Sequence, residues 1–140
     1  MAGVFVGRHD RQLDPKGRLA LPASFRQKFE SEAYLTFGNG CVDAFTPEEY
    51  EQMAQETMDK VRQGEIGRNR LRALSANTFA VPIDAQGRIV VDPKLRSFAG
   101  LELSTRVVVI GAYDRVEIWN AERFDTVESR GGEGLLDDVL

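Results

Sequence analysis

Two short runs hold the side chains with the most chemical potential: Asp14-Pro15-Lys16-Gly17-Arg18 and, seventy positions on (84 − 14), Asp84-Ala85-Gln86-Gly87-Arg88. Each sets a carboxylate four residues before a guanidinium, with a glycine between them. In a structural role the aspartate caps its own turn and the arginine pairs with it across a hairpin. That accounts for the Asp and the Gly. It accounts less well for the arginine, because an exposed ion pair contributes only about 0–1 kcal/mol. In a recognition role, an arginine fixed beside a rigid turn grips phosphate or bridges O6 and N7 of guanine, and two copies make a spaced reader. A hydrolase in which Asp14 and Asp84 share a proton would call for Asp-Thr-Gly or Asp-Ser-Gly, whereas these aspartates precede Pro15 and Ala85.

The likeness extends beyond the two runs. Residues 13–26 align on residues 83–96 with identities at Asp14/Asp84, Gly17/Gly87, Arg18/Arg88 and Arg26/Arg96. The apolar pairs Leu19/Ile89, Leu21/Val91 and Phe25/Leu95 keep their spacing. Downstream, Tyr34-Leu35-Thr36-Phe37-Gly38 aligns on Val107-Val108-Val109-Ile110-Gly111. After a small gap, residues 45–50 align on residues 119–124. The chain is an internal duplication.

Composition bounds the partners. Of 140 residues, 42% are hydrophobic and 29% charged, a normal globular balance. The formal net charge of −4 counts against a polyanion partner, but the charges are unevenly spread. Arg8, Arg11, Lys16, Arg18, Arg26 and Lys28 crowd the first thirty residues. Lys60, Arg62, Arg68, Arg70 and Arg72 form a second cluster, and the last segment is acidic, with Glu128, Glu133, Asp137 and Asp138. With one cysteine, Cys41, and one histidine, His9, an internal disulfide is impossible and a Cys/His metal site has too few ligands. Cys41, between Gly40 and Val42, is expected to be an unreactive strand residue. Neither a signal peptide nor a membrane span is expected, so the default setting is cytoplasmic.

Each half is expected to run strand, tight turn, strand, short helix, strand, turn, strand, helix. Asp14, Pro15 and Gly17 suit positions one, two and four of a type I turn, with Gly17 left-handed and forming a bulge that returns the chain as a hairpin. Pro22 and Pro93 sit where helices can start; Asp92 is the expected N-cap and Gly100 the expected C-terminal cap. Thr46-Pro47-Glu48-Glu49 fits a capping box before a helix whose face is Tyr50, Met53, Ala54, Met58 and Val61, ending near Gly64. Asn120 is expected to cap a shorter second helix. The expected divisions are 1–64, a linking helical segment 65–77, 78–130, and an acidic, disordered tail 131–140. Neither half has enough strand to close a sheet alone, so the halves should interleave into one compact β-rich core.

This pattern resembles the MraZ family of bacterial transcriptional regulators, within the swapped-hairpin group that includes AbrB-like proteins. The resemblance covers roughly residues 5 to 128 and rests on the duplicated D-x-x-x-R, Asp14 to Arg18 and Asp84 to Arg88. Supporting matches are Gly17-Arg18-Leu19-Ala20-Leu21-Pro22, Leu95-Arg96 with Ala99-Gly100-Leu101, and Val109-Ile110-Gly111 leading to Glu117-Ile118-Trp119. One departure is Val91-Asp92-Pro93, where the family often has Ile-Pro; it is expected to shift a helix start by one residue. The resemblance implies an α+β, β-rich fold: an internally duplicated swapped-hairpin barrel with peripheral helices. It implies a nucleoid-associated protein that binds double-stranded DNA at short, G-rich direct repeats in promoters of division and cell-wall genes. It further implies a ring-shaped homo-oligomer, with no enzymatic activity, cofactor or membrane partner. The DNA-contacting role falls on Arg18 and Arg88, with Asp14, Gly17, Asp84 and Gly87 shaping the turns. Phosphate contacts from Lys16, Arg8 and Arg11 are added on charge alone. The alternative is an antitoxin-like module of the same superfamily with a toxin partner. The acidic C-terminus favours that alternative, and the duplication counts against it.

Overall fold

The first half of the chain supplies β1 (Arg8–Gln12), β2 (Arg18–Ala20), α1 (Ala23–Phe29), β3 (Glu32–Phe37), β4 (Val42–Phe45) and α2 (Pro47–Arg62), in a computed structural model that describes residues 3–133. After α3 (Arg68–Ala76), the second half repeats the order with β5 (Phe79–Pro82), β6 (Arg88–Val90), α4 (Pro93–Ala99), β7 (Arg106–Gly111), β8 (Val116–Asn120) and α5 (Ala121–Gly132). The expected type I turn is present: Gly17 N–H donates to Asp14 O at 3.0 Å, and Asp14 N–H donates to Arg18 O at 3.0 Å. The arms then part instead of zipping into an ordinary hairpin. β1 pairs with β7 and β2 with β6, so each short arm finds its ladder in the opposite half.

Among the described residues, only β3–β4 and β7–β8 pair within a half. The remaining ladders, β1–β7, β2–β6, β3–β5 and β4–β8, all cross between halves, and every pair is antiparallel. Leu19 stands opposite Ile89, and Asp43 opposite Glu117. These are equivalent positions of the repeat, so a pseudo-two-fold axis passes between the members of both pairs. Six strands form one sheet in the order β1-β7-β8-β4-β3-β5, and β2 and β6 form a separate ribbon. The duplicated α+β fold expected from the sequence is present. Among the described residues its larger sheet runs from β1 at one edge to β5 at the other, with the β2–β6 ribbon as a separate ladder.

Strand alternation sorts the side chains into two layers. Leu19 and Ile89 of the ribbon, Phe25 and Phe29 of α1, and Leu95 and Ala99 of α4 are buried against Val42, Ala44, Val107, Val109, Val116 and Ile118 of the sheet. On the opposite face, Val108, Trp119, Ala121 and Phe124 form a smaller cluster beneath α5. There too, Tyr50 of α2 stacks on Tyr34 with ring centroids 4.8 Å apart. The helix ends follow their caps: Thr46 Oγ1 accepts from Glu49 N–H, Asp92 from Lys94 N–H and Asn120 from Arg123 N–H, while Gly100 takes φ +68°.

Three expectations need revision or limits. The helix start after the second motif is not shifted: α1 begins at Ala23 and α4 at Pro93, equivalent positions, because Asp92 occupies the cap position that Pro22 fills in the first half. The apolar face of α2 is less covered than expected, and none of its residues is fully buried. Met53, Ala54 and Met58 instead line a cleft with Leu71 and Leu74 of α3. Helix α5 continues through Gly131 and Gly132, where the expected tail begins; residues 134–140 lie outside the described residues. No helix among the described residues is long and apolar enough to cross a membrane.

Candidate nucleic-acid interface

Each aspartate organises its turn with both oxygens. Asp14 Oδ1 accepts the backbone N–H of Lys16 at 2.9 Å and of Arg18 at 2.8 Å, and Oδ2 accepts Arg18 Nε–H at 2.6 Å. Asp84 repeats this with Gln86, Arg88 and Arg88 Nε, all at 2.9 Å. Both carboxyls are held below the ordinary carboxylate value. The main cause is the backbone N–H of the arginine four residues on, with partial desolvation opposing it. A shared-proton dyad needs the reverse, one carboxyl kept protonated. Gly17 and Gly87 both have φ +79°, the left-handed region that disfavours a side chain.

The two turns are joined by the β2–β6 ribbon. Gly17 O accepts Val91 N–H and Gly87 O accepts Leu21 N–H, each at 2.9 Å, so each turn is fastened to the strand end of the opposite half. With Leu19 and Ile89 pointing inward, Arg18, Ala20, Arg88 and Val90 make the outer face. Arg18 pairs with Val90 and Ala20 with Arg88, so the arginines form a diagonal pair, a spacing of roughly 7–8 Å in a regular ladder. Their side chains are 33% and 31% exposed. The structural and recognition roles are therefore compatible: Nε is spent on the aspartate, which fixes the plane of the guanidinium, and the terminal nitrogens remain for a ligand.

The other sequence-derived candidates fall in different places. Lys16 is exposed at the tip of the first turn, where the second turn has Gln86. Arg8 and Arg11 lie on opposite faces of β1, as their cross-strand partners show: Arg8 is opposite Ile110 of the α5 layer, and Arg11 opposite Val107 of the main core. Arg8 is bound by α5, at 3.3 Å from Asp125 and 3.0 Å from Glu128. Arg11 shares the ribbon's side of the sheet and donates to Asp10 O at 2.8 Å. Two residues absent from the sequence-derived site also reach the turns. Arg96 of α4 packs over Gly17, and Arg26 of α1 over Gly87. Their identity between the halves is the signal that could have found them.

A second polar cluster lies at the pseudo-two-fold on the helix side of the sheet. Cys41, Asp43 and Glu117 each bring a potential ligand atom within 4.8 Å of the others. All three are already engaged. Cys41 S–H points to Asp43, Asp43 Oδ2 meets Arg115 at 3.1 Å, and Glu117 Oε1 accepts Trp119 Nε1–H at 3.0 Å. Burial pushes the Asp43 carboxyl up to about 6, with Arg115 opposing the shift, and pushes the Cys41 thiol well above its usual range.

Crossed halves joined by a two-stranded ribbon, each contributing one Asp–Arg turn, define a duplicated swapped-hairpin protein. Comparison with known sequences is specific: the model of the family described as "MraZ protein, putative antitoxin-like" matches residues 4–66 and 74–135, one segment per half. The protein named Transcriptional regulator MraZ of Saccharopolyspora erythraea is 43% identical over 124 residues, 88% of this chain and 85% of that one. Its namesakes in Leifsonia xyli subsp. xyli and Mycoplasmoides gallisepticum are 40% and 32% identical, over 88% and 87% of this chain and 85% of each relative. This chain belongs to the MraZ family.

Proposed function

We propose that this protein is a sequence-specific DNA-binding transcriptional regulator that reads DNA with the outer face of the β2–β6 ribbon. The observation that carries the reading is the placement of Arg18 and Arg88 side by side on an exposed two-stranded ribbon, each oriented by its own aspartate. The major groove, about 12 Å wide, admits such a ribbon, and a guanidinium held in plane suits the O6 and N7 edge of guanine. Lys16 and Arg11 supply phosphate contacts on the same side. Arg8, held by α5, is the weakest candidate of the set.

The net charge of −4 is accommodated if several copies bind together, because each added contact then forms at high effective concentration. A ring-shaped homo-oligomer on short, G-rich direct repeats in promoters of division and cell-wall genes meets that need, acting in the cytoplasm at the nucleoid. The names of the relatives support a role in transcription. The test is to let the purified protein select duplexes from a random pool, then compare wild type with Arg18→Ala and Arg88→Ala. Each substitution should weaken binding to the selected site by roughly 5- to 150-fold, the equivalent of the 1–3 kcal/mol that a bidentate pair with a base supplies. The circular-dichroism spectrum and oligomer size should not change. Equal binding of selected and unrelated duplexes by the wild type would overturn the reading.

A further inference from the structure

The repeated Arg26 and Arg96 are absorbed by none of the roles above. Each leaves its own half and lies across the turn of the other. Arg96 Nε–H donates to Val91 O at 3.0 Å, on the residue whose N–H holds Gly17 O. A Cβ built on Gly87 would lie 2.7 Å from Arg26 Cδ, so the absence of a side chain there makes room for this arginine. Both are half-buried, and among the described residues neither has a carboxylate within ion-pair distance. Arg18, Arg88, Arg8, Arg62, Arg106 and Arg115 all do.

A half-buried guanidinium without a counter-ion gives up hydration with no opposite charge to offset the loss, and at Arg96 the one hydrogen bond to Val91 O occupies Nε alone. Here the arrangement occurs twice, at equivalent points, beside the turns that carry the reading arginines. Around the first turn Lys16, Arg18 and Arg96 outnumber Asp14; around the second, Arg88 and Arg26 outnumber Asp84. The ligand chemistry that completes such a site is a diester phosphate, whose two free oxygens accept from the guanidinium fork. We propose that Arg26 and Arg96 form a second pair of DNA contacts, each gripping a backbone phosphate beside the turn of the opposite half. They act independently of sequence, while Arg18 and Arg88 select it. This inference rests on the DNA-binding reading above.

The experiment is a salt titration of binding by fluorescence anisotropy, on the selected duplex and on an unrelated duplex of the same length. Arg26→Gln and Arg96→Gln should weaken both duplexes by the same factor. They should also lower the slope of log K against log[salt] by roughly 0.9 for each phosphate no longer gripped. Arg26→Lys and Arg96→Lys should restore the slope. Arg18→Ala should instead lose mainly the preference for the selected duplex. Weaker binding with an unchanged slope would mean that these arginines only brace the turns, and would overturn the proposal. Wild-type affinity in both Gln variants would overturn it as well. Either result leaves the ribbon reading intact so long as Arg18→Ala loses its preference; a wild type with no preference sinks that reading instead. If Arg96→Gln melts early through loss of the Val91 bond, Arg26→Gln, which leaves that bond in place, decides the matter.

Discussion

Leu19 and Ile89 stand directly opposite each other across the β2–β6 ladder, both excluded from solvent, where the two halves of the chain meet. The ribbon is only three residues long on each side, so its attachment to the sheet depends on this pair. Leu19→Ala removes buried methyl groups from a packed site, at a cost of about 2–5 kcal/mol. Thermal melting should show a large drop in Tm, and DNA binding should fall with it because both arginines lose their platform. A Tm close to wild type would mean that the ribbon does not rely on this contact.

The neighbouring position behaves differently. Val90 is 53% exposed on the outer face, opposite Arg18. Surface substitutions of this kind usually change stability by no more than about 0.5 kcal/mol. Val90→Glu should therefore melt like wild type, yet lose DNA binding, since it puts a carboxylate among phosphates and offers Arg18 a competing partner. Retained affinity in this variant would show that the outer face does not meet DNA.

The two turn glycines share φ +79° but not their surroundings. Gly17→Ala and Gly87→Ala both carry the left-handed strain, about 1–2 kcal/mol. At Gly17 the added Cβ meets Arg96 Nε at 3.4 Å, an ordinary contact, whereas at Gly87 it must displace Arg26. Gly87→Ala should thus lower Tm more than Gly17→Ala. In an Arg26→Ala background the two should cost the same. An equal cost in the wild-type background would argue that Arg26 does not pack on the turn in solution.

What the sequence makes legible follows from what each feature depends on. Asp14, Gly17, Asp84 and Gly87 specify their turns through local backbone chemistry, and Thr46, Asp92 and Asn120 cap their helices by contacts within three residues; such features can be read from sequence. The need for interleaving is also legible, since three-residue strands cannot form a sheet alone. Which strand crosses to which is not, because β1 and β2 leave a hairpin-like turn for different ladders. Proximity in sequence groups Arg8 with Arg11, although strand alternation separates three-apart residues onto opposite faces. Arg26 and Arg96 are visible as repeated residues, but the turns they cover belong to the opposite half and only the folded chain brings them together.

Cys41 offers a test of core integrity. It is fully buried, next to Asp43, and its thiol is held in the protonated form. Because the thiolate is the nucleophile, iodoacetamide should label it only after denaturation. Native labelling within minutes at about pH 8, close to the ordinary thiol range, would show that the Cys41–Asp43–Glu117 region opens readily.

Acidic titration should separate the turn aspartates from Asp43 by the sign of their effects. The folded-state values of Asp14 and Asp84 lie below their ordinary value of 3.8, mainly through the backbone N–H of Arg18 and Arg88. Their ionised forms favour the fold, so this stabilisation is present above about pH 4 and is lost as pH falls through the lower folded value. Asp43 is raised to about 6, chiefly by burial, so its protonated form favours the fold. Its contribution is full below pH 3.8 and is lost as pH rises through about 6. The expected measurement is Tm from about pH 2 to 8 for wild type, Asp14→Asn and Asp43→Asn. The advantage of wild type over Asp14→Asn should grow on going from about pH 2 to about 5. Relative to Asp43→Asn, wild type should lose ground between about pH 4 and 6, where the unfolded chain gives up the Asp43 proton and burial beside Glu117 keeps it on the folded one, despite the Arg115 ion pair and the Cys41 S–H bond. If both differences move in the same direction, burial does not dominate at Asp43, and the Arg115 ion pair governs that site instead.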